Sequence, residues 1–445
     1  MQRFIVGLAF VVLAGSMFAA EPSQRPNVLF LFTDDQRADA VGAFDHPVLK
    51  TPNIDTLVHT GCTIRNAYCL GSDVGAVCSP SRNMLLSGRA YFRWKGRMAP
   101  PEPANWPDSM KAAGYETYHH GKRGNTAIEI QKRFEHNKYV SNDEAERRSG
   151  EPGKEIVDDA ITFLKEREDE RPFFMYLAFG NPHDPRVAAQ NYRDQYDEAA
   201  IPLPTNYRPV HPFDNGWMTG RDEALAPWPR TEAVVREHLH DYYATITALD
   251  AHIGRLLSLL DEQGLRENTI IVFSSDHGLA IGSHGLFGKQ NVYEDGMKAP
   301  LIFTGPGIKH RSSNAMVYLL DLYPTVCDLV GIAPPTSIDG RSFANVLRGE
   351  RDAARDAIFL AYEDSQRAVR NDRWKLIVYP RINRTQLFDL TNDPHEIRDL
   401  ANEPQHHDRI EELTALLTAQ QKKFGDNAPL TSSQPQEATF TPPVK

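Results

Sequence analysis

Residues 25–39, Arg25-Pro26-Asn27-Val28-Leu29-Phe30-Leu31-Phe32-Thr33-Asp34-Asp35-Gln36-Arg37-Ala38-Asp39, decide the fold class. The unbroken run from Val28 to Thr33 stops abruptly at two acids. A strand with no polar face is one covered on both sides, as in a parallel sheet sandwiched by helices, and its carboxyl end delivers the polar groups. The pattern recurs twice, where Phe173 to Phe179 runs into Asn181-Pro182-His183 and Thr269 to Phe273 runs into Ser275-Asp276-His277. Helical stretches lie between, at Glu155 to Glu168 and at Val234 to Gln263, where Ile246, Leu249, Ile253, Leu256 and Leu260 share one face. Strands alternating with helices, with chemistry at strand ends, predict an α/β fold whose central, mostly parallel sheet binds ligands beyond the carboxyl ends of its strands.

Working outward, Gln190 to Arg230 is rich in Pro, Asn and Tyr and lacks periodicity, so it reads as a long surface insertion able to line a substrate pocket. Past Asp339-Gly340, strand-like pieces at Ile358 to Tyr362, Trp374 to Tyr379 and Gln386 to Leu390 precede a helical stretch from His407 to Phe424. The expected organisation is a main domain over 25–345, a small C-terminal α+β subdomain over 346–430 and a disordered Ser/Thr/Pro/Gln-rich tail over 431–445. At the start, Arg3 precedes an apolar run from Phe4 to Ala14 that is short for a membrane span and closes on small residues. That is the form of a signal peptide over 1–20, which implies export to a periplasmic or extracellular location and no membrane span after cleavage.

The 445 residues carry a formal net charge of −10 with both signs mixed along the chain, which argues against nucleic acid as a partner. Four cysteines, Cys62, Cys69, Cys78 and Cys327, are too few for a disulfide framework. Export permits one bridge, for which Cys62 and Cys69 are the local candidates, while Cys327 sits in an apolar helical pattern as a buried thiol. Asp34, Asp35 and Asp276 offer carboxylate oxygens from separate strand ends, suited to a hard cation, with His277 as a nitrogen donor beside them. Lys289 follows a glycine-rich stretch, Gly282 to Gly288, where an ammonium can reach an anion as a point charge. His183, held between prolines at a strand end, has an ordinary pKa of ~6.5 that suits proton transfer near neutrality.

The most specific motif is Cys78-Ser79-Pro80-Ser81-Arg82 followed by Leu85-Leu86-Ser87-Gly88-Arg89. It resembles the CxPSRxxLLTGR signature of the type I, formylglycine-dependent sulfatases of the alkaline-phosphatase-like superfamily, differing at Ser87, where Thr is usual. Further landmarks resemble that family in their usual order, among them Thr51 to Leu57, Ser274 to Gly278, Gly282 to Lys289, Asp321 to Thr325 and Leu387 to Glu396. The resemblance implies a sulfuric ester hydrolase in which a formylglycine-generating maturation enzyme oxidises Cys78 to an aldehyde that hydrates to a geminal diol. It implies one Ca²⁺ per chain, Mg²⁺ being less favoured, held by Asp34, Asp35, Asp276, His277 and the modified Cys78. It assigns Arg82, Lys122 and Lys289 to neutralising the sulfate and the nucleophile, and His183 to protonating the leaving oxygen.

One landmark is missing. The family reads KWH after the glycine, whereas this chain reads Lys122-Arg123-Gly124-Asn125, which leaves His119, His120, Arg123 and Asn125 as candidates for the absent histidine's role. The aromatic, polar insertion between Tyr192 and Trp228 points to a sulfated carbohydrate, or another small sulfated molecule, as substrate. Two alternatives stand beside this reading: a phosphomonoester or phosphonate hydrolase on the same fold, and a ligand-binding homologue with impaired turnover.

Overall fold

The structure is a computed structural model that describes residues 25–94 and 105–443; the expected signal peptide over 1–20 lies outside the described residues. Its strands are β1 (Asn27–Thr33), β2 (Cys62–Tyr68), β3 (Gly71–Ser72), β4 (Glu116–Gly121), β5 (His136–Tyr139), β6 (Phe173–Ala178), β7 (Thr269–Ser275), β8 (Lys298–Ala299), β9 (Leu301–Thr304), β10 (Arg311–Tyr318), β11 (Ile358–Tyr362), β12 (Gln366–Arg370), β13 (Trp374–Tyr379) and β14 (Arg384–Asp389). A nine-stranded sheet runs in the order β10-β2-β9-β7-β1-β6-β4-β5, with β8 also paired to β2. From β7 to β5 all pairings are parallel, and β9 turns antiparallel against both β7 and β2.

The run that opens the chain lies in the middle of this sheet because both of its faces are buried. Val28, Phe30 and Phe32 project into one apolar cluster with Trp106, Phe174, Tyr176 and Val272. Leu29 and Leu31 project into the other, with Ile156, Val157, Leu249, Ile253 and Leu256 from the covering helices Lys154–Glu166 and Glu232–Glu262. Each such side chain contributes about 1.5–3 kcal/mol on leaving water, and the two-residue alternation of a strand distributes them to both faces.

A second, five-stranded sheet, β14-β13-β12-β11-β3, carries the C-terminal helix His407–Phe424. Its edge strand β3 comes from the first part of the chain, pairing in parallel with β11. Gly71 permits that approach: its φ is +77°, and a Cβ there would stand 1.9 Å from the Ala361 carbonyl oxygen. The two sheets are also tied by a buried charge cluster. Glu294 accepts from Tyr68 Oη (2.6 Å) on the large sheet and from Arg370 Nη1 (3.1 Å) and Lys375 Nζ (3.0 Å) on the small one, and Lys375 also pairs with Glu396 at 2.8 Å.

Three expectations are corrected. Cys62 and Cys69 are not bridged; both are buried free thiols, as are Cys78 and Cys327. They flank the two ends of the extended β2, and at about 3.3 Å per residue they lie far beyond the roughly 7 Å Cα separation that a disulfide tolerates. The Gln190–Arg230 segment is only in part a surface excursion: without strands of its own it buries Tyr196, Ile201, Phe213, Met218, Glu223 and Arg230, and it lines the cavity over Cys78 with Trp217, Arg221 and Asp222. The described residues 431–443 are held on the fold, since Asp214 N–H donates to the Ala438 carbonyl (2.8 Å), Gln436 N–H to that of Arg381 (2.8 Å), and Phe440 packs edge-on to Trp228. Among the described residues no helix is long and apolar enough to cross a membrane.

The Glu294 cluster gives a stability test. Replacing Glu294 by Ala leaves the Arg370 and Lys375 cations buried with a carboxylate removed, a change that costs about 3–5 kcal/mol. Urea unfolding should show a lower midpoint and an extrapolated unfolding free energy reduced by that amount, and a loss under about 0.5 kcal/mol would contradict the role given to this cluster.

Candidate active site

Strand register assembles the site. Phe32 is level with Ala178, Thr33 with Ser275, and Gly121 with Ala178, so β1, β4, β6 and β7 end at one edge of the sheet. The residues just past each strand therefore emerge together: Asp34 and Asp35, Lys122, Asn181 to His183, and Asp276 with His277. Backbone bonds continue past the strands, from Asp34 N–H to the Asn181 carbonyl (3.0 Å), Lys122 N–H to Ala178 (3.0 Å) and Asp276 N–H to Thr33 (3.3 Å). Asp35 turns away with φ +66°, a left-handed conformation that Asp tolerates better than most residues.

Cys78 arrives on a different element, as the first residue of the helix Cys78–Ser87. Pro80 falls in the first turn, where its missing N–H leaves no helical bond unmade. Ser81 Oγ donates to the Asp276 carbonyl (2.7 Å), and Arg82 donates from Nε to Asp276 Oδ2 (3.0 Å) and from Nη2 to the Thr33 carbonyl (3.2 Å). These bonds fasten the helix across the strand ends. Gly88 closes it in the left-handed region, its N–H donating to the Met84 carbonyl at 2.8 Å. The motif thus consists of a reactive side chain, a helix start, two clamps and a helix stop.

The polar groups meet around the sulfur. Cys78 Sγ lies 3.2 Å from both His277 Nε2 and Lys289 Nζ, and Lys289 Nζ donates to Asp35 Oδ1 at 2.7 Å. Lys122 Nζ bonds Asp34 Oδ2. Burial opposes the Asp34 carboxylate, but Lys122 and Arg82 together hold its pKa well below the usual range. Burial likewise opposes the Lys289 ammonium most strongly, and Asp35 together with Cys78, Asp222 and Asp34 outweighs it, keeping Lys289 charged. The Cys78 thiol is pushed up by burial, with Lys289 working the other way.

The donor set fits a metal ion. Asp34, Asp35, Cys78 and His277 each offer an atom within 4.8 Å of the others. Asp34 Oδ1 is buried with no hydrogen-bond partner among the described residues, a costly state for a carboxylate oxygen unless a cation satisfies it. His277 Nδ1 faces the Gly278 carbonyl (2.9 Å), so Nδ1 carries the hydrogen and Nε2 is left as the donor atom. Asp276 adjoins the four, its Oδ1 accepting from Asp35 N–H (3.1 Å) and standing 3.5 Å from His277 Nε2, while Oδ2 is taken by Arg82. Arg82 itself is fully buried and reaches the site through these carboxylates.

His183 lines the cavity that opens over Cys78, along with Asn125, Arg147, Trp217, Arg221 and Lys289. Its Nδ1 faces the Asp184 carbonyl at 2.8 Å and the Asp184 carboxylate at 3.2 Å, which leaves Nε2 for a ligand. Burial, then Lys289, lowers the imidazole pKa. Of the four candidates for the missing KWH histidine, Asn125 alone lines this cavity. His119 and His120 are buried on β4, bonded to Asn137 (2.8 Å) and facing Asp159 (3.3 Å), while Arg123 N–H donates to Asp143.

Several contributors were not singled out individually in the sequence, although the segment that holds them was expected to line a pocket. Glu223, paired with Arg230 at 2.8 Å, accepts from Phe287 N–H (3.0 Å) and Gly288 N–H (2.8 Å), and so fixes the glycine-rich loop that aims Lys289. Asp222 bonds Gln290 (2.5 Å), and Trp217 forms a wall of the cavity. All come from the aperiodic Gln190–Arg230 segment, whose partners lie on another part of the chain.

Comparison with known proteins accords with this geometry. The sulfatase family profile matches residues 26–332, and that of the C-terminal region of N-sulphoglucosamine sulphohydrolase matches 282–423. The chain is 27% identical to an N-acetylglucosamine-6-O-sulfatase of Bacteroides thetaiotaomicron, over 92% of this chain and 88% of that one. It is 30% identical to an ulvan-active sulfatase of Formosa agariphila, over 91% and 83%. A protein solved in complex with its substrate D-glucosamine-2-N,6-O-disulfate superposes with a TM-score of 0.78 at 26% identity, covering 91% of this chain and 99% of that one. A phosphonate monoester hydrolase of Agrobacterium radiobacter shares the fold, with a TM-score of 0.75 at 20% identity over 90% and 96%. With the profile spanning both the strand-end carboxylates and the Cys78 helix, the chain belongs to the sulfatase family and is a sulfuric ester hydrolase.

Proposed function

We propose that this sulfatase is exported and removes sulfate from a sulfated carbohydrate, with Cys78 converted to formylglycine and one divalent cation, calcium in preference to magnesium, bound at Asp34, Asp35, Asp276, His277 and the modified Cys78. The observation that carries the reading is Cys78 Sγ at 3.2 Å from both Lys289 and His277, in a cavity that His183 also faces. The relatives named for N-acetylglucosamine-6-O-sulfatase and ulvan-active sulfatase support the carbohydrate class.

As formylglycine, residue 78 would supply a diol oxygen to attack sulfur and a second hydroxyl through which sulfate is expelled; a bound cation would add Lewis-acid charge at the same place. The chain's own side chains do the rest. A sulfate ester is an anion, so its approach to a buried oxygen nucleophile depends on fixed positive charge. Lys289, beside Cys78, gives that charge to the incoming sulfate oxygens. Lys122 and Arg82 hold the carboxylates in place and offset their repulsion of the substrate. His183 presents Nε2 to the leaving oxygen, with Asp184 orienting the ring through Nδ1. The arriving sulfate adds negative charge next to an imidazole that burial has pushed down, favouring the protonated form it needs as an acid.

Enzyme co-expressed with a formylglycine-generating enzyme should release sulfate from nitrophenyl sulfate faster than phosphate from nitrophenyl phosphate. The reverse preference would favour the phosphate or phosphonate reading.

Chelation should abolish turnover by removing the positive charge that Lys122, Arg82 and Lys289, already paired with the carboxylates, do not supply to an anionic substrate, and calcium should restore it better than zinc. Full activity in a preparation shown by elemental analysis to be metal-free would refute the cation site.

For His183→Ala, loss should be about 10²–10⁴-fold on sugar sulfates, whose leaving alcohols need a proton, and much smaller on nitrophenyl sulfate. Equal losses on both substrates in a stably folded variant would assign the acid to another residue.

A further inference from the structure

The cavity over Cys78, about 340 Å³, is continuous in its lining with a second of about 430 Å³, because Arg147 and Arg221 line both. The second lies among the helix Asp143–Arg148, the turn after His183 and the early part of Glu232–Glu262. Its charges do not balance locally. Arg148 is paired with Glu144 at 3.0 Å, and Arg221 with Asp184 (3.0 Å) and Asp222 (2.5 Å). Asp241 is turned to Arg193. Arg186 donates from Nε only to the Pro182 carbonyl (3.2 Å) and lies over the Tyr242 ring. Arg147 has neither an ion pair nor a hydrogen bond among the described residues, and its Nε is buried without a partner.

The carboxylate next to Arg147 in the chain makes no ion pair with it, although the Arg147 charge helps to lower a Glu146 pKa that burial pushes up to about 7. Glu146 is engaged elsewhere, accepting from Gly153 N–H at 2.5 Å and, in the amide orientation that satisfies both groups, from Asn181 at 3.0 Å. A guanidinium half-buried beside an enzyme's reaction cavity, with an unsatisfied N–H, carries a desolvation cost that a ligand anion would offset. Its planar fork matches the paired oxygens of a sulfate or a carboxylate alike. His238, also lining the second cavity, is pushed down to about 4 by burial and by Arg186, so it is neutral at pH 7 and the surplus charge belongs to the arginines.

We propose that Arg147, backed by Arg186, forms a second anion subsite, so that the preferred substrate is a saccharide carrying a further sulfate or carboxylate beside the sulfate that is hydrolysed. This rests on the carbohydrate-sulfatase reading and adds the charge pattern of the substrate to it. Arg147 is then a specificity-determining residue, acting on a substituent remote from the reacting sulfur.

The test compares wild-type enzyme with Arg147→Ala and Arg147→Lys on three saccharides that share the cleaved sulfate: one with no other anion, one with a second sulfate and one with a uronate neighbour. The ratio of kcat/KM for a doubly anionic substrate over the singly anionic one should fall about 10–100-fold in Arg147→Ala, the range for losing a charge-assisted bond. Arg147→Lys should recover part of it, and the arm that responds tells sulfate from carboxylate. An unchanged ratio in both arms, or equal loss on all three saccharides, would overturn the subsite. Wild-type enzyme that hydrolyses nitrophenyl sulfate but none of the saccharides would overturn the carbohydrate reading and this subsite together, while leaving the sulfatase chemistry intact.

Discussion

Asp34 and Asp35 stand buried side by side at the end of the central strand, and two adjacent carboxylates cannot stay ionised there without cations around them. Much of the neighbouring architecture answers that constraint. Lys122 from the end of β4 and Lys289 from the glycine-rich loop each bond one of the pair, and Arg82 from the Cys78 helix spans Asp276 and Asp34. Each cation comes from a different element, so closing the charge cluster also locks helix, loop and strand ends into one arrangement. Asp34 Oδ1, still without a partner among the described residues, marks where these protein cations leave off and a metal ion would be coordinated.

The same constraint explains what could be read from the sequence. A buried parallel strand must be apolar throughout and can place charge only beyond its end, so Asp34, Asp35, Asp276 and His183 stood out as polar residues at the close of apolar runs, and the structure brings them to one edge. The Cys78 motif was legible through its resemblance to the sulfatase signature, whose fixed positions fall within a dozen residues. What was hidden depends on contacts between distant segments. Glu223 and Arg230 sit in a stretch with no periodicity, and their value lies in bonds to the Phe287–Gly288 backbone that no local pattern encodes. His119 and His120 were attractive by proximity to Lys122 in sequence, yet strand geometry buries both, His119 bonded to Asn137 on β5 and His120 facing Asp159 on a covering helix, while Asn125, past the strand end, reaches the cavity.

The errors have equally physical origins. Cys62 and Cys69 are close in number, but an extended strand between them separates what a loop would have joined. Polar composition suggested that the end of the chain was free; a few apolar residues, Ala438 and Phe440 against Trp228, suffice to hold it on the surface. Arg147 was not singled out in the sequence; the ion pairs of Glu144, Asp184 and Asp241 with other arginines show that its neighbours' carboxylates are already taken.

The central claim is that the charge cluster exists to serve one atom position, the β-substituent of residue 78, after its thiol has been replaced by an aldehyde. Peptide mass spectrometry of the Cys78 segment, on preparations made with graded amounts of maturation enzyme and assayed in parallel for nitrophenyl sulfate hydrolysis, tests this most directly. The account predicts specific activity that rises in proportion to the formylglycine fraction and extrapolates to near zero for fully unmodified cysteine. Undiminished activity in protein whose residue 78 is wholly cysteine would contradict it.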